Sequence, residues 1–489
     1  MAFDHHRMNG EIDREARRKG RWRFGYHIMA PSGWINDPNG LVQYKGMYHV
    51  FFQHYPNGVE WGPMHWGHVA SRDLVNWKHY PIALTPGDAC DRDGCFSGSA
   101  IEKEGEVCLI YTGHRYADAA KKSSDQVQCL AASRDGINFE KSPDNPIIGT
   151  HPKEGSGDFR DPKVWRRGDH FYLIAGTCKD HIGKVVLYRS SNLKNWTYLG
   201  VLAQSDGKLG YMWECPDFFA LGGKHILMIS PQGIEPDGDL YQNLHQTGYF
   251  VGNFDYEHMQ FDYGDFTELD NGHDFYAAQS FQDNSGRRIV IGWMDMWDSP
   301  MPEQAEGWAG ALTLPRELHL SENGKIRMTP VPELTQLRKR ELVHESELLI
   351  SENRSFHRLN EELMELEMLF DLKKSDANQF GIKLRCGETE ETVIQYETAS
   401  RVLTLDRSKG GAGPGGTRRT KLPEHDTLKF RIYLDRSSVE IFVNDGEKVM
   451  TSRIYPREQN HGVQLFARGG GAQVQNLRSW SLKDIWNEK

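Results

Sequence analysis

The chain has 489 residues, 26% of them charged and 38% hydrophobic, with a formal net charge of −10, so it is long enough for two or three domains that each bury a core. A net acidic balance disfavours broad binding to nucleic acid or anionic membranes, and no run approaches the ~20 apolar residues that cross a bilayer as a helix. Neither nucleic acid nor a membrane is therefore expected as a partner.

Residues 1–25 mix acidic and basic side chains around Ile12 and Ala16 and read as a charged helical lead-in. They lack the apolar stretch of a secretory signal. The seven cysteines, scattered from Cys90 to Cys386, read as reduced thiols. Both features lead us to expect a cytoplasmic protein.

From residue 26 to about 330 one unit repeats. A glycine precedes an apolar strand five times, at Gly46, Gly105, Gly168, Gly223 and Gly286, with spacings of 59, 63, 55 and 63 residues. Each glycine sits between two strand-like runs, the signature of an antiparallel hairpin. A second echo joins Ser71 to Trp77, Ser133 to Phe139 and Ser190 to Trp196, each a polar turn ending on an aromatic that we expect to pack between neighbouring units. Five such units imply a five-bladed β-propeller. Counting back from the glycines, Asp37, Phe96 and Glu214 stand nine residues before theirs and Asp161 seven before its own. Equal phase in a radial repeat predicts equal position, which would bring three acids and the Phe96-Ser97-Gly98-Ser99 segment to one end of a common axis.

Residues 331–342 start with Pro332, well placed for the first turn of a helix, and read as a linker helix. Over 343–489, period-2 strands at Leu366–Phe370, Phe380–Leu384, Thr392–Tyr396, Leu428–Tyr433 and Val439–Asn444, with Asn444-Asp445-Gly446 as a turn, predict a β-sandwich. The fold class is thus all-β, a five-bladed propeller followed by a C-terminal sandwich.

Taken singly, Asn36-Asp37-Pro38-Asn39-Gly40 reads as a turn, and Arg160-Asp161-Pro162 or Glu214-Cys215-Pro216 as a strand end or salt bridge. Their shared phase makes them a candidate catalytic set. No metal site stands out. Asp91-Arg92-Asp93-Gly94 lacks the later glutamate of a calcium loop, and His65-Trp66-Gly67-His68 lacks zinc spacing.

In family order, these motifs together with Asp274-Phe275-Tyr276-Ala277, Leu314-Pro315-Arg316-Glu317-Leu318 and Asp435 to Phe442 resemble glycoside hydrolase family 32, the β-fructofuranosidases. The resemblance covers nearly the whole chain. It implies a retaining hydrolysis of sucrose 6-phosphate, sucrose or short fructo-oligosaccharides. In that scheme Asp37 is the nucleophile, Glu214 the acid and then the base, and Asp161 the transition-state stabiliser, with Arg160 beside it. It further implies that Asn36, Gln53, Trp61, Phe96 and Ser97 line the fructosyl subsite, with Tyr276 and Trp297 as additional contacts. Acids gathered in one pocket disfavour each other's ionisation, which predicts a bell-shaped pH–rate profile. No cofactor is called for. His114-Arg115 and Lys121-Lys122 are candidates for a phosphate site, although solvated loop charge explains them better. The alternatives are an inverting arabinanase- or xylosidase-like hydrolase, which would hold its acid and base farther apart, and a sugar-binding propeller without turnover. A monomer or a homodimer fits the sequence equally well.

Overall fold

The computed structural model describes residues 20–118 and 120–487. Five antiparallel sheets follow one another along the chain, and two six-stranded sheets close it. The first strands of the five sheets are Gly33–Tyr44, Gly94–Lys103, Phe159–Arg167, Met212–Leu221 and Tyr276–Gln282. Each touches the next, and the fifth touches the first, so they form a closed ring around an axis and the sheets are propeller blades. The two-residue strand Trp308–Ala309 returns to pair in parallel with Gly33 and Trp34 of blade one, tying the end of the propeller to its beginning.

Three of the five repeating glycines have a common physical cause. Lys45-Gly46, Glu104-Gly105 and Gly222-Gly223 all have positive φ at both residues, the conformation of the two-residue hairpin turn that matches strand twist. The second echo is a turn as well. Asp73, Asp135 and Asn192 each accept two backbone N–H bonds from residues two and three further on. The aromatics that follow pack as expected in blades two and three. Phe139 lies edge-on against Phe51 of blade one at 5.4 Å, and Trp196 joins a core cluster with Ile110 of blade two.

The sandwich stacks two six-stranded sheets over a core that includes Phe370, Phe380, Ile432 and Leu465, all at most 1% exposed. Two expectations change here. The helical lead-in lies mostly outside the described residues, and Gly20–Gly25 forms no helix. The linker helix expected over 331–342 is a short 3₁₀ helix, Pro332–Leu337, and a strand, Arg338–Ile350, begins immediately after it. That strand pairs with Ala472–Leu482, a partner more than a hundred residues away.

The propeller and the sandwich share a buried polar seam. His27 bridges Asp435 at 2.8 Å and Glu440 at 2.7 Å. Arg316 lies between Glu440 at 2.6 Å and Asp270 at 2.9 Å. Arg453 and Arg407 of the sandwich both pair with Asp274 of the propeller. Each of these buried charges has an opposite partner, the condition under which such burial is tolerated. Among the described residues no helix is long and apolar enough to cross a membrane.

Candidate active site

All five first strands carry a bulge at the same depth. Register shifts fall between Ile35 and Pro38, Phe96 and Gly98, Arg160 and Lys163, Glu214 and Asp217, and Tyr276 and Gln279. The extra residues are Asn36-Asp37, Ser97, Asp161-Pro162, Cys215-Pro216 and Ala277-Ala278. A bulge re-aims its side chain out of the normal alternation. Here that requires left-handed backbone at Asp161, Cys215 and Ala277, with φ of 63°, 48° and 54°, an uncommon conformation for non-glycine residues that clusters at functional sites. At Gly98 a Cβ would stand 2.1 Å from the Ile110 carbonyl oxygen, so the blade-two bulge leaves no room for a side chain there.

The bulges sort the site into two tiers. The floor consists of Asp37, Ser97, Asp161 and Cys215. Asp37 accepts from Ser97 Oγ at 2.6 Å, from Asn36 Nδ2 at 2.9 Å and from the Cys215 thiol at 3.5 Å. Asp161 accepts from the Cys215 backbone N–H at 2.9 Å. The wall consists of the residues one position earlier, Phe96, Arg160 and Glu214, with Tyr276 of blade five at the same level behind them. Arg160 holds Glu214 Oε1 through Nε at 2.9 Å and Nη2 at 2.8 Å. Gln232 at 2.8 Å and the Tyr276 hydroxyl at 2.5 Å donate to Oε2. This corrects the equal-phase expectation for Glu214. The blade-four counterpart of Asp37 and Asp161 is Cys215, and Glu214 shares its level with Arg160 and Phe96.

Asn36, Asp37, Gln53, Trp61, Phe96, Ser97, Arg160, Asp161, Glu214 and Trp297 line one cavity of about 240 Å³ that opens to solvent. Tyr276 instead sits behind the wall, 1% exposed, acting on Glu214. Trp297 stacks on Trp34 at 5.8 Å and faces the cavity. Trp61, 40% exposed, stands edge-on to Phe96 at 5.8 Å and marks the rim. Residues that sequence reasoning did not assign to the site also line it: Tyr116, Ser124, Gln126 and Asp158. None sits in a motif, and only the folded loop brings them there.

Burial raises the Asp37 carboxyl above its ordinary value, the Glu214 charge adds to this, and the Ser97 and Asn36 hydrogen bonds pull against it. Asp161 is pushed up to about 7 by burial and by the charges of Glu214 and Asp37, against the pull of Arg160. Asp37, Asp161 and Cys215 bring ligand-type atoms within 4.8 Å of one another. Burial and the surrounding carboxylates raise the Cys215 thiol, so it serves as a hydrogen-bond donor in this trio. The result is a buried carboxylate at the floor and a second, firmly oriented one at the wall, facing a common space. That arrangement suits displacement at an acetal carbon.

Residues 27–330 match the family model of the glycosyl hydrolases family 32 N-terminal domain, and 333–481 match that of the family's C-terminal domain. The chain is 48% identical over 463 residues to a sucrose-6-phosphate hydrolase of Escherichia coli, covering 94% of each. A Bombyx mori GH32 β-fructofuranosidase, solved as a mutant in complex with sucrose, superposes with a TM-score of 0.86 at 36% identity, covering 98% of this chain and 99% of that one. A sucrose-6-phosphate hydrolase structure from Lactobacillus gasseri gives a TM-score of 0.88 at 29% identity, covering 99% and 97%.

Proposed function

The chain belongs to glycoside hydrolase family 32 and is a β-fructofuranosidase, and from that premise we propose that it hydrolyses sucrose 6-phosphate and sucrose with retention at the fructosyl carbon. The observation that carries this reading is the two-tier geometry. Asp37 is buried in the floor of a cavity whose wall holds the more exposed Glu214.

Asp37 attacks the fructosyl anomeric carbon while Glu214 gives a proton to the bridging oxygen, and the aldose departs. Water then gives its proton to Glu214 and attacks the same carbon, freeing Asp37 and releasing fructose. Ser97, Asn36 and Cys215 fix the Asp37 carboxylate before substrate arrives, so little reorganisation is left for the reaction itself. Asp161 accepts hydrogen bonds from fructosyl hydroxyls, and Phe96, Trp61 and Trp297 supply apolar faces for the sugar ring. Gln53 completes the subsite wall. A phosphate ester of sucrose does not cross a membrane unaided, so an enzyme acting on it works in the cytoplasm where the ester is made.

Methanol added to the reaction tests the mechanism. A fructosyl-enzyme partitions between water and methanol and yields methyl β-fructofuranoside, whereas direct inverting displacement yields no β-methyl product and would overturn the proposal.

A further inference from the structure

The loop between the second and third strands of blade two forms a side wall of the cavity and carries donors without a partner among the described residues. Tyr116 and Ser124 face each other as an isolated bridge, and the Ala117 N–H bonds to the Ser123 carbonyl, which closes the loop into a small hairpin. Tyr116, Ser124 and His114 all line the cavity.

His114 is 2% exposed and stacks on Phe96 at 4.1 Å with an interplanar angle of 11°. Its protonation pattern follows from its neighbour. Gln126 Oε1 accepts from the Phe159 N–H at 2.9 Å and from Arg160 at 3.3 Å, so its amide N–H₂ points the other way, to His114 Nδ1 at 3.2 Å. Nδ1 is therefore the acceptor and Nε2 carries the hydrogen. Burial and the nearby Arg160 charge push the ring down to about 4, which keeps it neutral. Nε2–H is a buried donor without a partner among the described residues, an unsatisfied state that calls for a ligand.

Charge on this wall is unevenly committed. Arg160 serves Glu214 and Asp158, Arg115 pairs with Asp125 at 2.6 Å and Arg92 with Asp93 at 3.3 Å. Lys121 instead rests its ammonium over the Tyr116 ring at 5.1 Å, a cation–π contact, and has no carboxylate partner among the described residues. The Tyr116 ring beneath it lines the cavity, so the Lys121 ammonium stands one side chain away from that space. The Tyr116 and Ser124 hydroxyls likewise have no hydrogen-bond partner among the described residues. Three neutral donors on cavity-lining residues, with one cation packed on the Tyr116 ring, thus stand beside Glu214 in a cavity otherwise dominated by carboxylates. An anionic substituent on the leaving group is what such a set recognises.

We propose that the His114–Ser124 wall is the specificity determinant for a phosphorylated aldose, with Lys121 supplying the charge and His114 Nε2–H, Tyr116 and Ser124 the directional hydrogen bonds. This rests on the fructosidase reading above.

The experiment is kcat/KM for sucrose 6-phosphate and for sucrose, measured on the full chain and on Lys121→Met, Lys121→Glu and Lys122→Met. The ratio of the two substrates is expected to exceed one in the parent. It should fall about tenfold in Lys121→Met, the scale of one charge-assisted hydrogen bond at a partly solvated rim, and further in Lys121→Glu, with the loss carried in KM for the phosphorylated sugar. Lys122→Met should keep the parent ratio. The inference is overturned if the parent shows no preference, if Lys121→Met leaves the ratio where it was, or if Lys122→Met lowers it equally. Absence of turnover on both sugars in the parent would instead refute the fructosidase reading itself.

Discussion

His27 offers a quantitative test of how the propeller and sandwich hold together. Its ring lies wholly buried between Asp435 and Glu440. Burial alone would push its pKa down, but hydrogen bonds and charge from the two carboxylates outweigh this and raise it from 6.5 to about 9. The shifts of the partners agree, with Asp435 lowered and Glu440 lowered to about 2. The folded state therefore binds the His27 proton more tightly than the unfolded chain does. Its contribution to stability is complete below pH 6.5 and is lost as pH rises through about 9. At 1.36 kcal/mol per unit this amounts to about 3 kcal/mol, a large share of the net stability of an ordinary domain. The assay is urea unfolding of the parent and His27→Gln at pH 6, 7.5 and 9, followed by tryptophan fluorescence. Trp486 reports locally, because its indole N–H donates to the His27 carbonyl at 2.9 Å. The variant should be less stable than the parent by about 3 kcal/mol at pH 6, and the gap should narrow steadily toward pH 9. A gap of the same size at every pH would mean that His27 carries no proton in the folded protein, and the reasoning would fail.

Other outcomes follow from the site. Asp37→Asn keeps the shape of the floor and removes the proposed nucleophile, so kcat/KM for sucrose should fall on the order of 10⁴-fold while thermal stability holds. A fall of only a few fold would remove Asp37 from the nucleophilic role. Ser97→Ala deletes a hydrogen bond that pulls the Asp37 carboxyl down against burial. Because the proposed attack needs an ionised Asp37, the acidic limb of the pH–kcat/KM profile should move to higher pH, and a limb that stays put or moves lower would contradict the assignment. Tyr276→Phe removes the 2.5 Å donor from Glu214 Oε2. It should reduce kcat about 10²-fold, the scale seen when one positioned donor is lost, with KM nearly constant in steady-state assays.

Much of the architecture was legible because it rests on local backbone demands. Turns with positive φ require residues such as Gly46, Gly105 and Gly223, and a requirement repeated along the chain marks the repeat. The three acids were legible for the same reason, since each lies at a bulge that interrupts a patterned strand. What misled was counting. Blade one has a second register shift, between Asn39 and Val42, and an inserted residue changes the distance to the hairpin glycine without changing depth in the blade. The prolines keep better register. Pro38, Pro162 and Pro216 follow Asp37, Asp161 and Cys215 at one level, and by that rule Glu214 belongs one tier higher.

The readings that failed depend on partners distant in sequence. Arg338–Ile350 alternates poorly and follows a helix-like start, yet it becomes a strand because Ala472–Leu482 supplies its hydrogen bonds, and tertiary pairing outweighs local preference in sheets. The same distance effect explains why two motifs read alongside the catalytic ones have other work. Asp274 and Arg316 sit in the seam with the sandwich, meeting Arg453 at 3.0 Å and Glu440 at 2.6 Å. Asp274 lies two residues before Tyr276, the tyrosine that orients Glu214. The strand that positions the wall of the site is thus anchored directly in the interface, which gives the sandwich a mechanical route to the active site without contributing any residue to the cavity. Loosening the seam should therefore weaken turnover before it weakens binding of the sugar ring, because Tyr276 touches Glu214 and does not line the cavity.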